Sequence, residues 1–159
     1  MIRKKMNSVD LKNSKYVILE IIPTSVDPKK GDIAQISALK IDGVKLIDRF
    51  DYRLDKAKIK VPDILKMTDY DNESFKYVKT TKNLLSNFKK FTGSLPLLII
   101  DNSYTRSYLN DFENNMYSVF DFLNLDVSDD AFDRLMNKYG LEPSNYLVDL
   151  LYEALIREL

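Results

Sequence analysis

Two acidic side chains stand where the sequence could place a divalent cation. Glu20 follows an apolar, β-rich run at residues 16–19, and Asp101 follows a second apolar run at residues 95–100. Carboxylate oxygens are the ligands that Mg²⁺ prefers, and sites in α/β proteins gather at the carboxyl ends of strands. The ends of these two predicted strands are therefore a candidate site for one Mg²⁺ or Mn²⁺.

A second interpretation removes Asp101 from this site, and we favour it. Asp101 precedes an Asn-Ser pair, which is typical of a side chain that caps a following helix. Ile22 lies two residues after Glu20 and therefore points the same way along a strand. An alkyl side chain cannot bind a cation, so the sequence makes metal binding the less favoured prediction.

The composition indicates a single globular domain and excludes several chemistries. Of 159 residues, 45% are hydrophobic and 30% are charged, which is typical of a folded, soluble chain. The chain has no Cys and no His, which excludes disulfides, thiolate catalysis and the commonest general base. Residues 1–14 are expected to form an N-terminal extension that could be flexible, and residues 15–159 one domain. No signal peptide or membrane-length apolar run is present, so we expect a cytoplasmic protein.

Charge is distributed unevenly along the chain. Residues 1–90 hold 20 Lys and Arg against 12 acidic residues, whereas residues 91–159 hold 4 against 12. One interpretation is chance segregation in a Lys-rich sequence. The other is a bipolar surface with one face suited to a polyanion or an acidic partner. The two halves interleave in the expected fold, so the sequence leaves both open.

The hydrophobic pattern predicts strands first and then strands alternating with helices. Strands are predicted at residues 15–22, 32–41, 45–54, 95–100 and 117–123, with a hairpin turn at Asp42-Gly43. Helical segments are predicted at residues 61–67, from a cap at Thr80 or Thr81 to Gly93, and at residues 103–115, 128–139 and 144–159. The expected fold is a mixed five-stranded sheet, with three antiparallel strands and then parallel strands, flanked by helices.

Several segments resemble, in order, the landmarks of the DnaQ-like (DEDD) 3′–5′ exonuclease family between residues 16 and 155. The similar segments are residues 16–40, with the shape of the D-x-E-T-T-G motif and the strand after it, and PDILKMTDYDNE, LLIIDN, VFDFL, AFDRLMNKYGL and residues 144–154. The resemblance implies a ribonuclease-H-like fold. In that family four acids hold two divalent ions that activate a water and stabilise the leaving oxygen.

By the same resemblance, most of the catalytic positions are changed in this chain. The first acid is Glu20, its partner is Ile22, the third is Arg106, and only the last is kept, as Asp149. Ser144 replaces the His that acts as general base. The resemblance therefore implies a degenerate site without a cofactor. We hypothesise that the Arg106 guanidinium lies between Glu20 and Asp149 in place of the metals, the alternative being that it points to solvent.

The expected function is a catalytically inactive exonuclease-like domain that acts by binding protein or nucleic acid. The alternative is a divergent 3′–5′ exonuclease that uses Mg²⁺ or Mn²⁺, held by Glu20, Asp101 and Asp149, to act on single-stranded DNA or RNA. From the resemblance we expect a protein partner or a homodimer. Single-stranded nucleic acid is a further candidate partner, and no membrane association is expected.

Overall fold

The computed structural model describes residues 6–25, 29, 31–55, 75–125, 130–142 and 147–159, and these form a mixed sheet with helices on both faces. The strands are β1 Lys15–Pro23, β2 Ile33–Asp42, β3 Lys45–Leu54, β4 Lys76–Val78, β5 Leu97–Ile99 and β6 Met116–Ser118. The helices are α1 Ser8–Lys12, α2 Thr81–Thr92, α3 Ser103–Tyr108, α4 Val119–Leu123, α5 Ala131–Tyr139 and α6 Leu147–Glu158. The strand order is β4-β3-β2-β1-β5-β6.

The antiparallel part of the sheet follows the predicted hairpin. β1 pairs antiparallel with β2, and β2 pairs antiparallel with β3. Gly43 has φ +66, and a Cβ there would lie 2.6 Å from the carbonyl oxygen of Lys12. Only glycine meets both requirements without strain, so the turn fixes the register of the hairpin. The predicted strands at residues 15–22, 32–41 and 45–54 are confirmed to within a residue or two at their ends.

The two faces of the sheet are covered by different helices. α2 begins at the Thr80 cap, whose side chain accepts from the Asn83 N–H, and it packs Leu84 and Phe88 on one face. α4, α5 and α6 pack on the other face and bury Phe120, Leu135 and Leu151, among others. Strand β1 is buried on both sides, which explains its nearly continuous apolar sequence. None of the described helices is long and apolar enough to cross a membrane.

The parallel part of the sheet corrects the predicted strand count. β5 pairs parallel with β1, β6 with β5, and β4 with β3. The sheet therefore has six strands rather than five. The additional strand, β4, has only three residues, too few for an alternating pattern to reveal it.

Two further predictions in the second half of the chain were wrong in extent or type. The helix predicted at residues 103–115 ends at Tyr108, and the strand predicted at residues 117–123 is the end of β6 followed by α4. Periodicity cannot separate a short buried helix from a strand in five residues with four apolar side chains. The helical turn predicted at residues 61–67 and the start of the last helix at residues 144–146 lie outside the described residues.

Part of the expected N-terminal extension is folded. Asn7 caps α1 in a reciprocal capping box, in which Asn7 Oδ1 accepts from the Asp10 N–H at 2.8 Å and Asp10 Oδ2 accepts from the Asn7 N–H at 3.2 Å. Leu11 is completely buried in the same core cluster as Leu151 of α6. For residues 8–12 the structure therefore differs from a flexible extension.

Truncating Leu11 tests whether α1 is part of the folded unit. Leu11→Ala is expected to lower the free energy of unfolding by about 2–5 kcal/mol, because it removes a buried side chain and leaves a cavity. Val9 is 68% exposed on the same short helix, so Val9→Ala is a matched control with an expected change of about 0.5 kcal/mol or less. Urea denaturation measures both, and equal effects would show that α1 is not docked.

Candidate functional site

Glu20 lies near the end of β1, on the face of the sheet that the C-terminal helix covers. The strand register places Glu20 opposite Ser37, and Ser37 opposite Asp51, so the three side chains form a row across β1, β2 and β3 on one face. Glu20 is half-buried and accepts no hydrogen bond from any described residue. Burial alone raises the pKa of its carboxyl group from 4.5 to about 7.

The charge of Glu20 affects the pKa of Tyr104. Its phenol pKa is raised mainly by burial and next by the charge of the Glu20 carboxylate, while its hydrogen bond with the Asn102 side chain works in the opposite direction. No cation contributes to the shift of the Glu20 pKa. Burial is therefore the cause of the raised pKa of Glu20, and no charge of a described residue offsets it.

Ile22 fills the neighbouring position with apolar packing. It is buried and forms a small cluster with Ala34 and Leu54. At the position where the resemblance places a second acid, this chain therefore has a side chain that packs in the core and offers no ligand atom.

Asp149, in the first turn of α6, is held by an arginine from β3. The Arg49 guanidinium donates to both carboxylate oxygens, with Nη1 at 2.9 Å from Oδ1 and Nη2 at 3.2 Å from Oδ2. Its Nε donates to Asp51 Oδ2 at 3.2 Å. A bidentate guanidinium–carboxylate pair is among the stronger charge-assisted hydrogen bonds in proteins. Arg49 therefore links the sheet to the C-terminal helix.

The hypothesis that Arg106 lies between Glu20 and Asp149 was wrong. Arg106 pairs instead with Asp101, with Nε at 2.7 Å from Oδ1 and Nη2 at 3.2 Å from Oδ2. Both side chains are substantially exposed. The reason is local: α3 is short, and its last turn brings Arg106 over the residue that precedes the helix cap. Asp149 receives its counter-charge from β3 instead.

The cap of α3 is one residue later than expected. Asn102, rather than Asp101, caps the helix, with its Oδ1 accepting from the Thr105 N–H at 2.9 Å. The Asp101 carboxylate therefore does not cap the helix, and its charge is balanced by Arg106. The two lie together at the side of a cleft of about 390 Å³ between α1, β6 and α4.

The three carboxylates proposed for a single cation do not come together. Among the described residues there is no group of three acidic side chains that could hold a metal ion. Asp101 pairs with Arg106, Asp149 pairs with Arg49, and Glu20 takes part in neither ion pair. Ser144 lies outside the described residues. That it occupies the position of the family's general base therefore stays a prediction.

Sequence reasoning missed Arg49 and Asp51, although a signal for them was present. Residues 49, 51 and 53 alternate along β3, so three charged side chains share the face that also carries Leu39 and Ile18 on the neighbouring strands. Charged residues on a buried face of a sheet usually have partners. This alternation could have identified β3 as part of the site, but nothing local pointed to Asp149 across about one hundred residues.

Because the Glu20 pKa is raised, the stability of the protein should depend on pH. The folded state holds the Glu20 proton more tightly than the unfolded state does, so the free energy of unfolding falls as the pH rises and the carboxyl group ionises. The wild-type protein should therefore lose stability relative to Glu20→Gln as the pH rises from 4.5 to about 7. The difference should reach at most about 3 kcal/mol.

Urea denaturation at a series of pH values measures this difference. Glu153 is exposed on α6, so Glu153→Gln is the matched control and should track the wild type throughout. A Glu20→Gln difference that does not change with pH would show that Glu20 has an ordinary pKa.

Comparisons with known proteins give the fold. No family model matches the chain. Over 102 residues, 64% of the chain, it is 22% identical to the PolC-type DNA polymerase III of Halalkalibacterium halodurans, and the match covers 7% of that polymerase. This relationship is too distant and too partial to carry an activity.

Solved structures of exonuclease I align with almost the whole chain. The enzyme from Methylocaldum szegediense matches 91% of the chain with a TM-score of 0.58 at 14% identity. A structure of SSB and exonuclease I with the inhibitor CFAM matches 92% with a TM-score of 0.57 at 13% identity. E. coli exonuclease I with a dA16 oligonucleotide matches 89% with a TM-score of 0.53 at 12% identity. The chain spans 40%, 41% and 39% of those three chains, respectively. The described sheet order and these alignments together show that the chain has the DnaQ-like, ribonuclease-H-like exonuclease fold.

Proposed function

We propose that this chain is a non-catalytic exonuclease-fold domain that acts by binding. The observation that carries the proposal is the Arg49–Asp149 pair, in which a guanidinium occupies both oxygens of the last acid that the resemblance retains. A permanently charged arginine can neutralise this carboxylate but cannot activate a water. The pair therefore stabilises the fold at a position where the active family holds a metal.

The surrounding positions support the same conclusion. Two-metal catalysis needs several ionised oxygen ligands around two adjacent ions. Here Ile22 offers no ligand, Arg106 contributes a cation paired with Asp101, and Asp149 has both oxygens engaged. The described residues therefore do not fit a two-metal centre. Loss of a general base alone costs about 10²–10⁴-fold in rate, and loss of the metals removes the nucleophile as well.

The alternative is a divergent metal-dependent 3′–5′ exonuclease, and one observation favours it. Glu20 has a strongly raised pKa and no hydrogen bond from a described residue, which is a common property of carboxyl groups at functional sites. Cation binding would have to deprotonate Glu20 and displace Arg49 from Asp149. We rank this alternative second because it requires both changes.

Without catalysis, the function proposed for this fold is the binding of a partner molecule. Among the solved relatives, exonuclease I is seen with SSB and with a dA16 oligonucleotide. By analogy of fold, the partner of this chain is a protein or a single-stranded nucleic acid. A second copy of the chain is a further candidate, because the resemblance implies that active relatives often form homodimers.

A double-mutant cycle tests the structural role of Asp149. Arg49→Met, Asp149→Asn and the double variant should show a coupling energy of about 1 kcal/mol in urea denaturation, as expected for a partly exposed but bidentate pair. Arg106→Met with Asp101→Asn is the control cycle at the more exposed pair, and it should give a smaller value. A coupling energy near zero at Arg49 and Asp149 would remove the basis of the proposal.

Incubation of the same proteins with a labelled single strand tests the lack of catalysis. With Mg²⁺ or Mn²⁺ present, neither the wild type nor any variant should shorten DNA or RNA oligonucleotides that exonuclease I or an RNA exonuclease degrades. Metal-dependent shortening by the wild type that is abolished by Glu20→Gln and Asp149→Asn would establish the alternative instead.

A further inference from the structure

Three lysines surround a shallow depression on the face of the sheet opposite Asp149. Lys15 comes from the start of β1, Lys40 from β2 and Lys90 from the last turns of α2, and together they line a depression of about 510 Å³. Lys40 has the same orientation along β2 as Ala38, which packs under α2, whereas Leu39 packs on the other face. The depression is therefore separate from Glu20 and Asp149.

None of these three ammonium groups forms an ion pair within the described part of the chain, although Asp48 lies opposite Lys40 on the neighbouring strand β3. The ion pairs found among the described residues involve other cations, namely Arg49, Arg106, Arg134 and Lys138. Asp48 is the one acid that lines the depression, and its Oδ1 accepts from the Arg49 backbone N–H at 2.8 Å. Three ammonium groups beside a single carboxylate leave an excess of positive charge in this concavity.

Packing holds one of the three lysines in place. The Lys40 Nζ lies 4.5 Å from the centroid of the Phe91 ring, and Phe91 in turn packs against Phe50 with ring centroids 5.3 Å apart. An ammonium group over an aromatic ring is attracted to the ring, and this attraction restricts the position of the group. Because the ring carries no net charge, the positive charge of the lysine is retained. The charge at this point of the surface is thus positioned by the core.

Apolar and hydroxyl groups complete the depression. Ile47 is 42% exposed at its edge and is one of the few large apolar side chains exposed in the described structure. Ser94 lies in the turn after α2, is exposed, and offers a hydroxyl donor. A ligand with anionic groups and an adjoining apolar surface matches this combination better than a simple inorganic anion does.

We propose that this depression binds the phosphate groups of a single-stranded nucleic acid. Lysine ammonium groups bind phosphate oxygens as point charges, and Ile47 supplies contact area for a sugar or base beside them. The binding would use a surface on the opposite face of the sheet from the acidic positions. This inference deepens the proposed binding function and rests on it, because it assigns a surface to one of the partners named there. Failure of strand binding would overturn this site, whereas metal-dependent shortening of a strand would overturn the lack of catalysis.

Fluorescence anisotropy of a labelled single-stranded oligothymidylate, measured over a series of salt concentrations, tests this site. The wild type should bind with an affinity that falls as salt rises. The Lys40→Gln/Lys90→Gln variant should bind at least about five-fold more weakly at low salt. For this variant, the slope of log affinity against log salt concentration should be smaller in magnitude by about 1.4. Each lost phosphate contact on a single strand reduces the slope by about 0.7, and two lysines are removed.

Lys82→Gln is the matched control, since Lys82 is exposed on the same helix eight residues before Lys90, which places it about 12 Å away along the axis. This variant should bind as the wild type does. Competition with inorganic phosphate distinguishes a site for nucleic-acid phosphates from a site for free phosphate. Inorganic phosphate should displace the oligonucleotide only at concentrations far above that of the oligonucleotide.

Three results would overturn the proposal. One is no oligonucleotide binding by the wild type at low salt, and another is equal weakening by Lys82→Gln and by the double variant. The last is that inorganic phosphate binds and requires Lys40 and Lys90, while the oligonucleotide does not bind. Matching thermal melting curves for all variants exclude misfolding as the cause of a loss.

Discussion

The arrangement at the end of this sheet depends on how partly buried carboxylates obtain a counter-charge. The resemblance to the DnaQ-like family implied metal ions in this role. Here Arg49 fills it for Asp149 and also reaches Asp51, so that one guanidinium joins β3 to the C-terminal helix. Glu20 has no such partner among the described residues, and burial raises the pKa of its carboxyl group accordingly. The same requirement thus explains both the paired acid and the perturbed one.

Much of the fold could be predicted because its signals are local. The apolar run of β1, the Gly43 turn and the Thr80 cap each follow from the properties of a few neighbouring residues. The short helix at Val119–Leu123 and the three-residue β4 could not be predicted in the same way, because so few residues give no periodicity.

The site was harder to predict because its contacts are distant in the chain. The resemblance pointed to Glu20, Ile22 and Asp149 as positions of the site. It also pointed to Arg106, and the expectation that Arg106 would neutralise the two acids followed from that. Asp101 lies only five residues away and forms that pair instead. The true partner of Asp149 is one hundred residues distant, beyond the reach of any local pattern.

The helices on the two faces of the sheet differ in charge. Helix α2 carries Lys82, Lys89 and Lys90 and no acidic residue, whereas α6 on the other face carries Asp149, Glu153 and Glu158 against Arg157. This difference does not simply follow the two halves of the chain, because Asp111 of the second half lines a cleft together with Lys82 and Lys89. The cationic character therefore belongs to α2 itself rather than to a whole face of the sheet.

A crystal structure of the protein soaked in Mn²⁺, with anomalous diffraction recorded, tests the central claim most directly. The account predicts that the Arg49 guanidinium remains on Asp149 and that no anomalous peak lies between Asp149 and Glu20. An Mn²⁺ peak bound by these two carboxylates, with Arg49 displaced, would contradict it.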